Sequence, residues 1–280
     1  MSERSIAFLD SGVGGIPYLL ATVAAYPEGR YTYYADNANF PYGERNPADL
    51  ERTVADAVSH LTRLVEPDVV VVACNTASVV ALRSLRANYS IPFVGVVPAI
   101  KPAAAVPETR RIGVLATSRT VEDTYVADLI TRFASTSEVV LVPASGLVQL
   151  VEERFGSFSD EELRLALEEP IRSLLEAQVD AVVLGCTHFI HVRDAVAEML
   201  GPETRVVDSV DGVVRQTLRI AGVGVPAGEQ LPRPVAPLGT AVRPRLYRSA
   251  PERTGSSYAW LAARWGLELS HAREPDRTHG

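Results

Sequence analysis

The chain holds two cysteines, Cys74 and Cys186, and their surroundings match. Each closes an apolar run, Val69 to Ala73 in one case and Ala181 to Gly185 in the other. Each is followed by small hydrogen-bonding residues, Asn75-Thr76 and Thr187-His188, where a helix should begin. A helix N-terminus favours the thiolate, so a thiol placed there is expected to fall below its free pKa of about 8.5 and to serve as a base. A lone buried cysteine is most often just a small hydrophobe. Two in equivalent places point instead to chemistry. A nucleophile with a resolving partner usually keeps its sulfurs close in sequence or on one loop, which these are not. Two thiols on facing walls can do something else: one takes a proton from one face of a carbon while the other delivers a proton to the opposite face, inverting a stereocentre. A carbon that acidifies weakly needs its neighbouring carboxylate neutralised by N–H and hydroxyl donors in a site that excludes water. Ser11, Asn75, Thr76, Thr117, Thr120 and Thr187 are donors of that kind.

A glycine loop, Asp10-Ser11-Gly12-Val13-Gly14-Gly15, ends the first apolar run and leads into a helix, a layout that suits an anion held by backbone N–H groups. As a dinucleotide fingerprint it is weak. Gly12 and Gly14 fit the first two glycines and Asp36 lies at a suitable spacing, but Pro17 stands where the third glycine should be. The alternative is a strand-to-helix turn without chemistry, against which stands polar Asp10 at the carboxyl end of a buried strand.

These residues hang on a regular framework. Short apolar runs at Ser5 to Asp10, Tyr31 to Asp36, Val69 to Cys74, Phe93 to Val97, Ile112 to Thr117, Glu138 to Val142, Ala181 to Cys186 and Arg205 to Asp208 read as strands. Helical patterns alternate with them, such as Pro47 to Val65 behind an Asn46 cap and Asp160 to Ala177 behind Ser159, with Glu162 completing a capping box. Runs apolar at every residue belong to parallel strands buried on both faces. The class is α/β. One half repeats the other: aspartate precedes cysteine by six residues in both Asp68 to Cys74 and Asp180 to Cys186, and Ile6 to Ser11 parallels Ile112 to Thr117. Two similar open, mostly parallel-sheet domains facing each other across a central cleft follow, with the ligand at the strand ends. The first is expected to comprise residues 1–97 plus 210–268 and the second 98–209. Gly222 to Pro244 reads as a long loop, Arg245 to Ser249 as a strand and Thr254 to Trp265 as a helix packed back on the first domain, and residues 269–280 as a disordered tail.

Composition narrows the classes. With 280 residues, 47% hydrophobic and 22% charged, the chain is a globular protein of about two domains. A formal net charge of −7 and no basic block argue against nucleic acid as a partner, and no apolar run reaches the ~20 residues that span a bilayer. The opening residues lack the apolar core of a secretory signal, so a cytoplasmic protein is expected, with free thiols rather than a disulfide. Lys101 is the single lysine and lies in a Pro-flanked loop, which leaves pyridoxal phosphate one poor attachment point. Oligomeric state is not legible; a homodimer is the commonest arrangement.

The motifs Asp10-Ser-Gly-Val-Gly-Gly15, Pro41-Tyr-Gly43, Ala73-Cys-Asn-Thr-Ala77 and Gly185-Cys-Thr-His-Phe189 together resemble the glutamate racemase family of the aspartate/glutamate racemase superfamily, over about Ile6 to Ala221. The resemblance implies a cofactor-independent isomerase that supplies D-glutamate for peptidoglycan. It puts proton donor and acceptor on Cys74 and Cys186, with Asp10 assisting the first thiol, His188 the second, and Glu152 as a further acid. It carries substrate contacts to Asp10, Ser11, Tyr42, Gly43, Asn75, Thr76, Thr117, Thr120, Thr187 and His188. No metal or cofactor is implied. A carboxylate or imidazole beside a thiol can take its proton as substrate binds, so the free enzyme need not hold a bare thiolate. Glu152 sits beside Glu153 on a helix and is open between a site acid and a solvated charge. His60, His191, His271 and His279 lack a cysteine neighbour. Two departures, Ile190 where the family usually has proline and Asn46-Pro47 where serine is common, bear on loop shape rather than on proton transfer. Aspartate or another carboxylate as substrate, and a binding protein that has lost catalysis, are the alternatives.

Overall fold

The computed structural model describes residues 3–106, 108–225, 231–232, 237–238, 243–251 and 257–271. Strands β1 (Ser5–Asp10), β2 (Arg30–Ala35), β3 (Val69–Val72), β4 (Phe93–Gly95), β9 (Arg245–Arg248) and β10 (Glu268–His271) form one sheet in the order β10-β9-β2-β1-β3-β4. Strands β5 (Arg111–Ala116), β6 (Glu138–Pro143), β7 (Ala181–Leu184) and β8 (Arg205–Val207) form a second in the order β6-β5-β7-β8. Every pairing is parallel. The order β2-β1-β3-β4 therefore recurs as β6-β5-β7-β8, and the register agrees: Ile6 faces Val69 and Ile112 faces Ala181. The repeated aspartates have the same task in both halves. Asp68 Oδ2 accepts from Ser5 N at 2.8 Å and Asp180 Oδ2 from Thr109 N at 2.7 Å, each tying a strand start to its neighbour.

The all-apolar runs are central strands, with β1, β3 and β7 buried along their whole length. Helices cover both faces. Pro47–Val65 starts where Asn46 accepts from Asp49 N and turns Leu50, Val54, Val58 and Leu61 inward; Asp160–Glu176 starts with the Ser159/Glu162 capping box. Both starts come from local hydrogen bonds that compensate unpaired helix-end N–H groups, which is why they were legible. The helix Val210–Ile220 returns to the first sheet beside Ile16–Ala25, and Tyr18 Oη and Ser209 Oγ meet there at 2.8 Å.

Several expected boundaries shift. The runs expected to end at Cys74 and Cys186 leave the ladder at Val72 and Leu184, because the chain must turn there to start the next helix. The tail expected over 269–280 does not include Leu269, Ser270 and His271, which complete β10; its backbone bonds to the open edge of β9 outweigh the polar, charged composition that suggested disorder. The helix after β9 is Ser257–Trp265. Most of the expected loop from Gly222 to Pro244, the start of that helix and residues 272–280 lie outside the described residues. Among the described residues no helix is long and apolar enough to cross a membrane.

Candidate active site between the two sheets

Ser11, Cys74, Thr117 and Cys186 follow β1, β3, β5 and β7, the central strands of the two sheets, and all four line one cavity of about 500 Å³. Tyr42, Gly43, Asn75 and Thr76 join them from the first half and Thr120, Thr187 and His188 from the second. Both thiols are free and 8% exposed, so each is nearly enclosed yet borders the cavity. Cys74 caps the helix Asn75–Asn88; Cys186 instead precedes a 3-10 helix, Thr187–Val192.

The expected depression of the thiol pKa does not occur at Cys74. Burial pushes it well up and the charge of Asp10 adds to this, while the N–H groups of Ala77 and Thr76 oppose it only in part. With no ligand bound, Cys74 is therefore held as a thiol.

Asp10 and Glu152 do not line the cavity; they stand directly behind it. Asp10 is fully buried, accepting at Oδ1 from Gly12 N (2.9 Å) and Ser11 Oγ (3.3 Å) and at Oδ2 from Thr187 Oγ1 (3.1 Å). Burial raises its pKa to about 6 against the opposing pull of His188. Glu152, on the helix Ser145–Arg154, is a buried acid rather than a solvated charge. Its Oε2 lies 2.9 Å from His188 Nε2 and accepts from Val13 N at 2.8 Å, and Tyr258 donates to Oε1 at 2.5 Å. A carboxylate can only accept, so Nε2 carries the proton and Nδ1 turns to Cys186 Sγ, 3.9 Å away. Burial works against the His188 imidazolium, but the bonds to Cys186 and Glu152 and the charge of both outweigh it, and the His188 pKa is pushed well above its ordinary value.

The glycine loop holds anions, as its pattern suggested, but they are the chain's own. Gly12 N serves Asp10, Val13 N serves Glu152, and Gly15 N donates to Tyr33 Oη, which itself donates to Gly12 O. A Cβ on Gly12 would lie 2.0 Å from Glu152 Oε2, and one on Gly14 would lie 2.4 Å from Thr187 Oγ1 and 2.5 Å from His188 Nδ1. The absent side chains make room for the second half's acid and imidazole, and no dinucleotide cradle remains.

Asp36 accepts from Tyr42 Oη (2.7 Å) and Asn39 Nδ2 (3.0 Å), so it fixes the turn that carries Tyr42 and Gly43 to the cavity. Thr117 and Thr120 share a bond of 2.9 Å between hydroxyls. The departures have structural explanations: Asn46-Pro47 is a helix start and Ile190 is buried in the core. Lys101 lies outside the cavity lining, with Nζ 5.7 Å from the Phe133 ring. Among the described residues no group of three or more His, Cys, Asp or Glu is placed to hold a metal. Sequence reasoning missed Phe40, whose ring packs 5.9 Å from that of His188, and Tyr258 and His191. Their partners lie far away in the chain, and no local pattern marks them.

The model of the Asp/Glu/Hydantoin racemase family matches residues 17–217. Glutamate racemase of Treponema pallidum is 40% identical over 224 residues, 79% of this chain and 84% of that protein. That of Aliivibrio salmonicida is 40% identical over 78% of this chain and 81% of its own. The structure of Escherichia coli glutamate racemase, in complex with L-glutamate and the activator UDP-MurNAc-ala, superposes with a TM-score of 0.82 at 32% identity, covering 96% of this chain and 97% of that one. With two repeated parallel sheets, paired thiols at their facing ends and these matches over most of its length, the chain belongs to the Asp/Glu/hydantoin racemase family.

Proposed function

We propose that this chain interconverts L- and D-glutamate without a cofactor, by proton transfer between the α-carbon and the thiols of Cys74 and Cys186. The observation that carries this reading is that both thiols border a single cavity from opposite sheets. The name shared by the relatives supports glutamate as the substrate, and so does the L-glutamate bound in the Escherichia coli structure.

In one direction, Asp10 takes the proton of Cys74 as substrate binds, the Cys74 thiolate removes the α-proton, and the Cys186 thiol delivers its own proton to the opposite face. In the other direction, the proton of Cys186 passes to His188 Nδ1, forming the imidazolium that the bonds to Cys186 and Glu152 favour, and the roles exchange. Each turnover in the first direction inverts the substrate and leaves Cys74 again a thiol, now carrying the substrate's proton, Cys186 a thiolate and Asp10 protonated, a net shift of one proton from Cys186 to Asp10 that is reversed before the next turnover. With a pKa of about 6, Asp10 is mostly ionised at neutral pH and able to accept. Negative charge that builds up on the α-carboxylate needs donors already in place, which the hydroxyls of Thr76 and of one member of the Thr117/Thr120 pair supply, those of Ser11 and Thr187 being donated to Asp10. Asn75 Oδ1 is buried at the cavity without a hydrogen-bond partner among the described residues, which suits a substrate ammonium group.

On this reading the two domains divide at 97/98 and 209/210, the working unit is a cytoplasmic homodimer, and the product is the D-glutamate used in peptidoglycan. Incubating the purified protein with each enantiomer of glutamate and of aspartate in heavy water, without added cofactor, tests the activity. Racemisation of glutamate with deuterium appearing at its α-carbon is expected. Exchange confined to aspartate moves the substrate assignment, and dependence on pyridoxal phosphate overturns the mechanism.

A further inference from the structure

Glu152 is held by three segments distant in sequence. Val13 comes from the glycine loop, His188 from the turn after Cys186, and Tyr258 from the helix Ser257–Trp265, 106 residues beyond Glu152 and outside the span matched by the family model. Tyr258 is 4% exposed, with the Arg248 guanidinium 5.6 Å from its ring centroid. Both oxygens of Glu152 are engaged and neither borders the cavity, so Glu152 has no route to the substrate. What is left to it is the imidazole. An anion at Oε2 keeps the His188 proton on Nε2 and leaves Nδ1 for Cys186, the arrangement by which a carboxylate fixes the tautomer of a catalytic histidine.

We infer that Tyr258 is a positioning residue for proton transfer at Cys186: its hydroxyl, donated to Glu152, fixes the carboxylate that in turn fixes the ring and tautomer of His188. The inference rests on the racemase reading above and extends it to the C-terminal helix. By sharing the negative charge of Glu152, Tyr258 also limits how firmly that charge holds the His188 proton. Among the described residues no tyrosine stands behind Asp10 in the same way, so the helix tunes one thiol of the pair and not the other. The titratable and charged groups that face His188 are Cys186, Glu152, Asp10 and His191; Tyr33 and Arg248 stand around Glu152 and Tyr258.

The test uses the full chain and its Tyr258→Phe, Glu152→Gln and doubly substituted variants, each assayed for the pH dependence of glutamate racemisation and for the downfield imidazole N–H resonance of His188. Tyr258→Phe keeps the aromatic ring, removes only the hydroxyl, and leaves Glu152 a stronger acceptor for the His188 proton. The limb of the profile that rises as His188 becomes able to accept a proton is expected to move up by about one pH unit. Turnover near neutrality should fall about tenfold with KM little changed, and the N–H resonance should shift. In the E152Q background the same substitution should add nothing. A wild-type profile with an unshifted resonance in folded Y258F, or effects that simply multiply with those of E152Q, overturns the inference. Should Y258F alone not fold, E152Q and the double variant decide: matching profiles support the inference and differing ones overturn it. If the unmodified protein does not racemise glutamate, the functional reading fails, whereas the resonance still reports whether Tyr258 governs the His188–Glu152 bond.

Discussion

Thr187 donates its hydroxyl to the Asp10 carboxylate at 3.1 Å, a bond that joins the end of β1 to the turn behind Cys186 across 177 residues. One fully buried acid is thereby bonded from both halves of a duplicated fold. The duplication breaks here: the residue that matches Asp10 in the second half is Ala116, and Thr117 matches Ser11. The strands and the aspartates at their starts repeat, but the acid behind the cavity does not. Cys74 has a carboxylate neighbour, whereas Cys186 has an imidazole backed by a carboxylate. On the proposed mechanism, a site that handles mirror-image substrates is built from unlike proton acceptors.

Replacing either thiol by a hydroxyl should show whether both are needed. Serine is a far weaker acid than cysteine, so Cys74→Ser and Cys186→Ser should each lower racemisation by about a thousandfold while leaving thermal unfolding close to that of the parent. Retention of full activity in either variant removes the two-base assignment.

Gly14→Ala tests the packing of the glycine loop. The new methyl group would meet Thr187 Oγ1 and His188 Nδ1, and His188 is pinned by Glu152 and cannot retreat. A loss of about 1–3 kcal/mol in urea unfolding is expected, together with reduced turnover. Gly212→Ala is the control. It lies in the helix Val210–Ile220 with nothing within 4 Å of its added carbon, so it should be neutral or stabilising by up to ~1 kcal/mol. Equal behaviour of the two variants would show that the loop tolerates the added carbon.

What the sequence discloses follows from range. The Asn46 cap, the Ser159/Glu162 box and the run Val69 to Val72 are signals contained within a few residues, and each identifies its element. The repeat of Asp-x5-Cys extends this reach, because two equal segments imply two equal positions. The relay Tyr258–Glu152–His188 has no such signature, since its members meet only after both sheets and the C-terminal helix have folded. The edge strand β10 escaped notice for a similar reason: Leu269 to His271 owe their conformation to β9, not to their own pattern.

Asp10 should make stability depend on pH with an unusual sign. A carboxyl whose pKa rises from 3.8 to about 6 on folding binds its proton more tightly in the native state. Its contribution is therefore present in acid and is lost as pH rises through about 4 to 6, by roughly 3 kcal/mol. Asp10→Asn removes this dependence and can still accept from Gly12 N. Relative to the parent, the variant should gain stability from pH 4 upward and level off above pH 6.5, with racemisation strongly reduced. Urea midpoints that run parallel for the two proteins across this range would rule the linkage out.

His191 should act over the same window in the opposite direction. It is half-buried, donates Nε2–H to Val13 O at 2.9 Å, and the loss of solvent around its ring lowers its pKa from 6.5 to about 4. The unfolded chain binds that proton first, so stability is lost as pH falls from about 6.5 to 4, again by roughly 3 kcal/mol. In the parent protein the two contributions oppose and nearly cancel. Each substitution unmasks the other. Asp10→Asn, which keeps His191, should lose stability on acidification from pH 6.5 to 4, whereas His191→Gln, which can still donate to Val13 O but does not titrate, should gain it. Slopes of the same sign in the two variants would mean that at least one of these two groups is not held in the protonation state described.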